Sequence, residues 1–144
     1  MLPALLWQFD RYTLSTRVNV RFKHEGIESR RFSPDLETAA YRVTQESLTN
    51  VARHAAVDSV CVQIRADRQN LQVRIRDEGS GFDSERKRYK SDGCGMLGMS
   101  ERVQLLRGRF HVASRPGDGT SIEADFPLQL PDVPVFPTTN SGQK

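Results

Sequence analysis

The 144 residues, 37% of them hydrophobic, suffice for one domain around one core, and no stretch reaches the run of about 20 apolar residues that a membrane span needs. The net charge is only +3 and the basic residues are scattered, with one dense cluster at Arg86, Lys87, Arg88 and Lys90. That pattern lacks the basic stripe of a nucleic-acid surface, so no direct nucleic-acid contact is expected.

The opening MLPALLWQF is apolar but short, has no basic leader and runs into charged residues, so it reads as an amphipathic helix from residue 2 to about 16. Leu2, Leu5, Leu6 and Phe9 fall on one side of it. Val18 to Phe22 alternates apolar and polar residues, the period of a half-buried strand. Past a loop at Gly26, Ser33-Pro34 supplies a capping hydroxyl and a proline suited to the first helical position. The helix that follows is expected to run to about Ala55, with Leu36, Ala40, Val43, Ser47 and Val51 on its buried stripe.

Val60 to Ile64 and Leu71 to Ile75 alternate in the same way and are joined by the polar stretch Asp67 to Asn70, which makes a hairpin. Asp77 to Gly98 is rich in glycine and charge with little periodicity, a loop of a length that is usually functional or disordered. A helix from about Met99 to Arg107 comes next. Two further strands, Phe110 to Ser114 and Ser121 to Phe126, flank the turn Pro116-Gly117-Asp118-Gly119. Residues from about 129 to 144 read as a disordered tail. Cys61 and Cys94 have no metal-ligand spacing around them, which fits a reducing, cytoplasmic setting. The expected fold class is an α/β (α+β) two-layer sandwich, a mixed sheet with helices on one face.

Three stretches carry the residue types of a ligand site. On the long helix, Glu46, Asn50 and Arg53 lie within about 60° of one another at about 100° per residue, with His54 at the edge of that strip. Asp77-Glu78-Gly79-Ser80-Gly81 puts a carboxylate at a strand end and follows it with glycines, which suits close approach of a ligand to the backbone. Gly93-Cys94-Gly95-Met96-Leu97-Gly98 leads into a helix N-terminus, where unpaired N–H groups favour phosphate. Taken singly, the first is also a solvated helix face and the second an ordinary glycine turn. The third matches the dinucleotide fingerprint only superficially, because a charged loop and not a strand precedes it.

In their order and spacing, however, these stretches resemble the ATPase domain shared by histidine kinases, gyrase-type topoisomerases and MutL-like repair proteins, over roughly residues 34 to 128. YRVTQESLTNVARHA and GMLGMSERV are most similar to the kinases whose partner regulators carry a LuxR-type DNA-binding domain. The resemblance implies the Bergerat ATP-binding fold over residues 17 to 128, with ATP and Mg²⁺ as cofactors. Residues 1 to 16 would be the connecting helix from a missing acceptor hairpin. Asn50 would coordinate Mg²⁺, and Glu46 would share the metal, orient a metal-bound water or assist proton transfer. Arg53 would reach the phosphates, and His54 would lie near the base or sugar. Asp77 would accept a hydrogen bond from the adenine amine, with Gly79 and Gly81 letting the chain pass close to the base. Gly93, Gly95, Leu97 and Gly98 would form a lid over the triphosphate, and Thr120 would support Asp77 and the base, through water. Met96 departs from the family's usual leucine after the second lid glycine.

A histidine kinase phosphorylates a histidine on a dimeric helical hairpin. Here His24 and His111 fall in or beside strands and His54 in the ligand strip, so the acceptor is expected on a separate dimerisation domain. A cognate response regulator is the second expected partner, and the domain by itself is expected to be monomeric. The parent protein would be cytoplasmic or anchored in an inner membrane. The alternative reading is a stand-alone regulator such as an anti-sigma factor with serine kinase activity.

Overall fold

Apolar side chains at every second position give the sheet one dry face and one wet face. In the computed structural model, which describes residues 1–87 and 94–128, the chain runs α1 (Leu2–Thr16), β1 (Asn19–Glu25), α2 (Pro34–Asn50), a π-helical turn (Val51–Ala55), β2 (Ser59–Ala66) and β3 (Asn70–Asp77). It continues through α3 (Ser84–Lys87), α4 (Cys94–Leu105), β4 (Arg109–Ser114) and β5 (Thr120–Pro127). The strand order is β1-β2-β3-β5-β4, with β1 parallel to β2 and the other neighbours antiparallel. A parallel pair needs a long crossover, and α2 provides it. The expected mixed sheet with covering helices is what forms.

The dry face is built by Val60, Val62 and Ile64 of β2, Leu71, Val73 and Ile75 of β3, and Ile122, Ala124 and Phe126 of β5, none more than 3% exposed. Helix α2 lays its expected stripe of Leu36, Ala40, Val43, Ser47 and Val51 on this face, and α4 adds Met99 and Val103. Gln63, Arg65 and Arg76 on the other face stay exposed. No described helix is long and apolar enough to cross a membrane.

The start of α2 follows from local chemistry. Ser33 Oγ accepts the Leu36 N–H at 3.3 Å, Pro34 opens the helix, and Asp35 and Glu37 complement the positive helix end. At the β2–β3 turn Asp67 Oδ1 accepts the N–H groups of Gln69 and Asn70 at 2.7 and 2.8 Å. Those bonds hold the Asp67 carboxyl below its ordinary value. A depressed native pKa means that the turn gains from Asp67 above the usual carboxylate range and loses that support as acid protonates it.

One helix face and two element boundaries differ clearly from the sequence expectation. On α1 the buried residues are Leu5, Gln8 and Phe9, while Leu6 is 46% exposed, because the helix turns its Leu5–Phe9 line and not Leu6 to the Phe22 ring of β1. Strand β1 extends to Glu25, since its ladder with β2 continues as far as Arg65. Helix α4 begins at Cys94 and ends at Leu105, so Gly95 and Gly98 are helical; burial of Met99 and partial burial of Met96 outweigh the weak helix propensity of the two glycines. The expected tail at 129–144, Gly93 and the basic residues Arg88 and Lys90 lie outside the described residues. The Ser33 cap gives a direct check: Ser33→Ala is expected to lower unfolding stability by about 1 kcal/mol, read as a shifted urea midpoint with unchanged slope.

Candidate functional site

The α-helical ladder of α2 stops at Asn50, and the next turn, Val51–Ala55, widens to π geometry before closing on Ala56 in the left-handed region (φ 53°). A π turn carries i→i+5 bonds and upsets the even angular spacing of an α-helix. Asn50 and His54, four residues apart, share one wall, whereas Arg53 is exposed and off it. The expected strip of Glu46, Asn50 and Arg53 is split by this turn.

Across from that wall, β3 ends in Asp77, buried to 6% exposure and in register with Thr120 of β5. Asp77 Oδ1 accepts the Gly79 N–H at 2.9 Å. The chain then folds back onto the π turn: Ser80 N–H donates to the Ala55 carbonyl at 3.1 Å and Ser80 Oγ–H to the His54 carbonyl at 2.6 Å. A Cβ on Gly79 would overlap the Ala55 carbonyl oxygen, and Gly81, at φ +60°, has no room for one against the Arg115 carbonyl. Both glycines are thus demanded by contacts inside the protein. Ser114 completes the frame. Its buried Oγ accepts the Phe82 N–H at 2.9 Å, donates to the Gly119 carbonyl at 3.0 Å and sits 2.9 Å from Thr120 Oγ1.

Between these walls lies a small pocket, open to solvent on one side. Its polar lining includes Asn50, His54, Asp77 and Thr120, and its apolar lining Val51, Ile75, Phe82, Met96 and Ile122. Of the residues expected from sequence, it gathers Asn50, His54, Asp77, Gly81 and Thr120. Gly79 stands just behind it. Glu46, half-buried one turn before Asn50, lies beside it under the first turn of α4. Leu97 is 61% exposed, and Met96 takes the wall position instead. Ser114 and Phe82 were missed, because a serine at a strand end and a phenylalanine in a loop carry no distinguishing pattern.

Electrostatically the floor is negative at Asp77. Burial pushes the Tyr12 phenol of α1 above its ordinary value, and the Asp77 charge adds to that. Among the described residues no group of three or more His, Cys, Asp and Glu is arranged to hold a metal by itself. An apolar slot with a buried carboxylate suits a flat ring that donates a hydrogen bond, and the amide of Asn50 in its lining offers an oxygen to a cation or a donor to an anion.

A family model described as "Histidine kinase-, DNA gyrase B-, and HSP90-like ATPase" matches residues 35–130. The chain is 35% identical over 128 residues to the signal transduction histidine-protein kinase/phosphatase DegS of Brevibacillus brevis, covering 89% of this chain and 32% of that protein. It is 35% identical to the protein of the same name from Bacillus subtilis (90% of this chain, 34% of the relative) and 31% identical to the oxygen sensor histidine kinase NreB of Staphylococcus carnosus (83% and 34%). The chain thus spans about a third of the length of these relatives. In fold it is similar to the histidine kinase domain of a blue-light activated histidine kinase from Erythrobacter litoralis (TM-score 0.64, 22% identity, 83% of this chain and 57% of that one). The Acinetobacter baumannii histidine kinase AdeS gives a TM-score of 0.68 at 15% identity, over 90% of this chain and 64% of that one.

Among the glycines near the pocket, Gly98 stands apart: a Cβ there would meet nothing within 4 Å. Gly98→Ala is therefore expected to raise stability by about 0.5–1 kcal/mol, measured by chemical denaturation, because alanine suits a helix and meets no clash.

Proposed function

The chain belongs to the histidine kinase-, DNA gyrase B- and HSP90-like ATPase family, and from that membership we propose that it is the ATP-binding catalytic domain of a two-component sensor histidine kinase. The observation that carries the reading is the buried Asp77 at the floor of an apolar slot whose rim holds Asn50. Similarity to named sensor kinases favours it over a free-standing serine kinase regulator.

Each residue has a role that its chemistry supports. Asp77 can only accept hydrogen bonds when ionised, so it takes the amino group of adenine and disfavours guanine, which presents a carbonyl there. Ile75, Met96 and Ile122 pack on the base, and Thr120, held by Ser114, supports Asp77 beside it. His54 lies near the base or sugar. Arg53 is exposed and long enough to reach outward to phosphates. Gly93, Gly95, Leu97 and Gly98 belong to the lid, although Leu97 faces away from the base pocket and Gly93 lies outside the described residues.

Mg²⁺ fits the donor set only with the nucleotide's help. Asn50 and Glu46 offer oxygen donors one helical turn apart, too few to hold a hard cation without phosphate oxygens and water. When bound, the ion would neutralise the charge on the transferring phosphate. Glu46 would orient a water or take a proton.

The phosphate acceptor would be a histidine on the dimerisation domain of the same kinase, with a cognate response regulator downstream. His24 lies in β1, His54 in the π turn and His111 in β4, none on a long helix of the kind an acceptor needs. Use of ATP and a chain with only two cysteines, Cys61 and Cys94, accord with a cytoplasmic location. Titration of the chain with ADP, ATP and GTP tests the reading. Asp77→Asn keeps an acceptor for the Gly79 N–H, so the fold should stand, while adenine nucleotide affinity should fall about 5- to 150-fold. Equal affinity for GTP, or an unaltered mutant, would refute it.

A further inference from the structure

Glu46 and Gly95 come from different helices, yet they meet. Gly95 lies in the first turn of α4, where its φ is that of an ordinary helical residue, so its backbone does not call for glycine. A Cβ on it, however, would overlap Glu46 Oε1 and lie 3.2 Å from Cδ and 3.4 Å from Cγ. Glycine weakens a helix; here the missing side chain leaves room for a carboxylate. Among the described residues the Glu46 side chain has no hydrogen bond or ion pair, and its carboxylate lies against the first turn of α4, at the helix end that favours negative charge. The same turn of α4 carries Met96 on the pocket wall, and the next is anchored to α2 by buried Met99, whose Sδ lies 3.6 Å from Ser47 Oγ.

We propose that Gly95 is the positioning residue for Glu46. The first turn of α4 is the wall against which the carboxylate rests, and a base seated against Met96 sets that wall and with it the direction of Glu46. This inference rests on the nucleotide reading and adds a coupling between the base pocket and the metal side of the site. Glu46 is then aligned by occupancy of a pocket that it does not itself line. Alanine is the better helix former, so Gly95→Ala leaves the helix propensity of α4 undiminished.

The test is ADP binding by calorimetry, with and without Mg²⁺, for the chain, Gly95→Ala, Glu46→Asp and the double variant. Gly95→Ala should lose about tenfold of the Mg²⁺-dependent gain in affinity, with Mg²⁺-free affinity changed by less than about threefold. Glu46→Asp in the Gly95→Ala background should recover most of that gain, since a carboxylate one methylene shorter clears the added methyl. An equal Mg²⁺ gain in all four proteins, or a double variant no better than Gly95→Ala, overturns the inference. Should Gly95→Ala fail to fold, Glu46→Ala empties the contact from the other side. Faster amide hydrogen exchange over residues 95 to 98 then supports the contact, and unchanged exchange removes it. A chain that binds no ADP at all brings down the nucleotide reading, and this inference with it; ADP binding with an invariant Mg²⁺ gain brings down this inference alone.

Discussion

The junction between the Ala55 carbonyl and the backbone at Gly79 and Ser80 holds the site together. On one side is the end of the long helix, with Asn50 and His54; on the other is the end of β3, with Asp77. The Ser80 N–H on that carbonyl and the Ser80 hydroxyl on the neighbouring His54 carbonyl fasten the two at a fixed distance. Helix ends leave carbonyls without intrahelical partners, and here the loop after β3 supplies donors for them. Any side chain at Gly79 would wedge the two walls apart, because the Ala55 oxygen and its Cβ fill the space. The width of the pocket is thus a property of the protein's own packing.

Ser114 does for the far wall what Ser80 does for the near one. Its hydroxyl bridges the Phe82 N–H, the Gly119 carbonyl and Thr120, so the glycine loop and the β4–β5 hairpin move as a unit. Asp77 then sits in a frame made almost wholly of backbone contacts and short hydroxyls. Such a frame is rigid at low side-chain entropy, since serine and threonine have few rotamers to lose. Preorganisation of this kind lets a carboxylate stay aimed at a ligand donor without the site rearranging on binding.

What could be read in the sequence was what local chemistry decides. The Ser33-Pro34 entry, the stripe from Leu36 to Val51, the alternation in β2 and β3 and the glycine turn before β5 each depend on neighbours in the chain, and each appears where expected. Asn50, His54, Asp77, Gly81 and Thr120 converge on one pocket. The misses share a different cause. The π turn meets the loop after β3 through the Ala55 and His54 carbonyls, and nothing in VARHA announces it. The start of α4 at Cys94 is a tertiary effect, in which buried methionines carry two glycines into a helix. With five more residues helical than expected, Met96 faces the pocket and Leu97 faces solvent. Ser114 was invisible because its importance lies in three partners from distant segments.

The parallel pairing of β1 with β2 closes only across the whole of α2 and its entry loop, whereas β2–β3 and β4–β5 pair through short turns. Contacts that enclose a long loop carry a larger closure entropy and form slowly. No residue of α1 or β1 lines the pocket. The pocket instead depends on the pairing of β3 with β5, which brings Asp77 opposite Thr120 across a stretch of chain at least as long as the one that α2 spans. A slow closing step is thus built into the pocket-bearing part of the sheet itself, and the two walls of the pocket come together only when sequence-distant strands have paired.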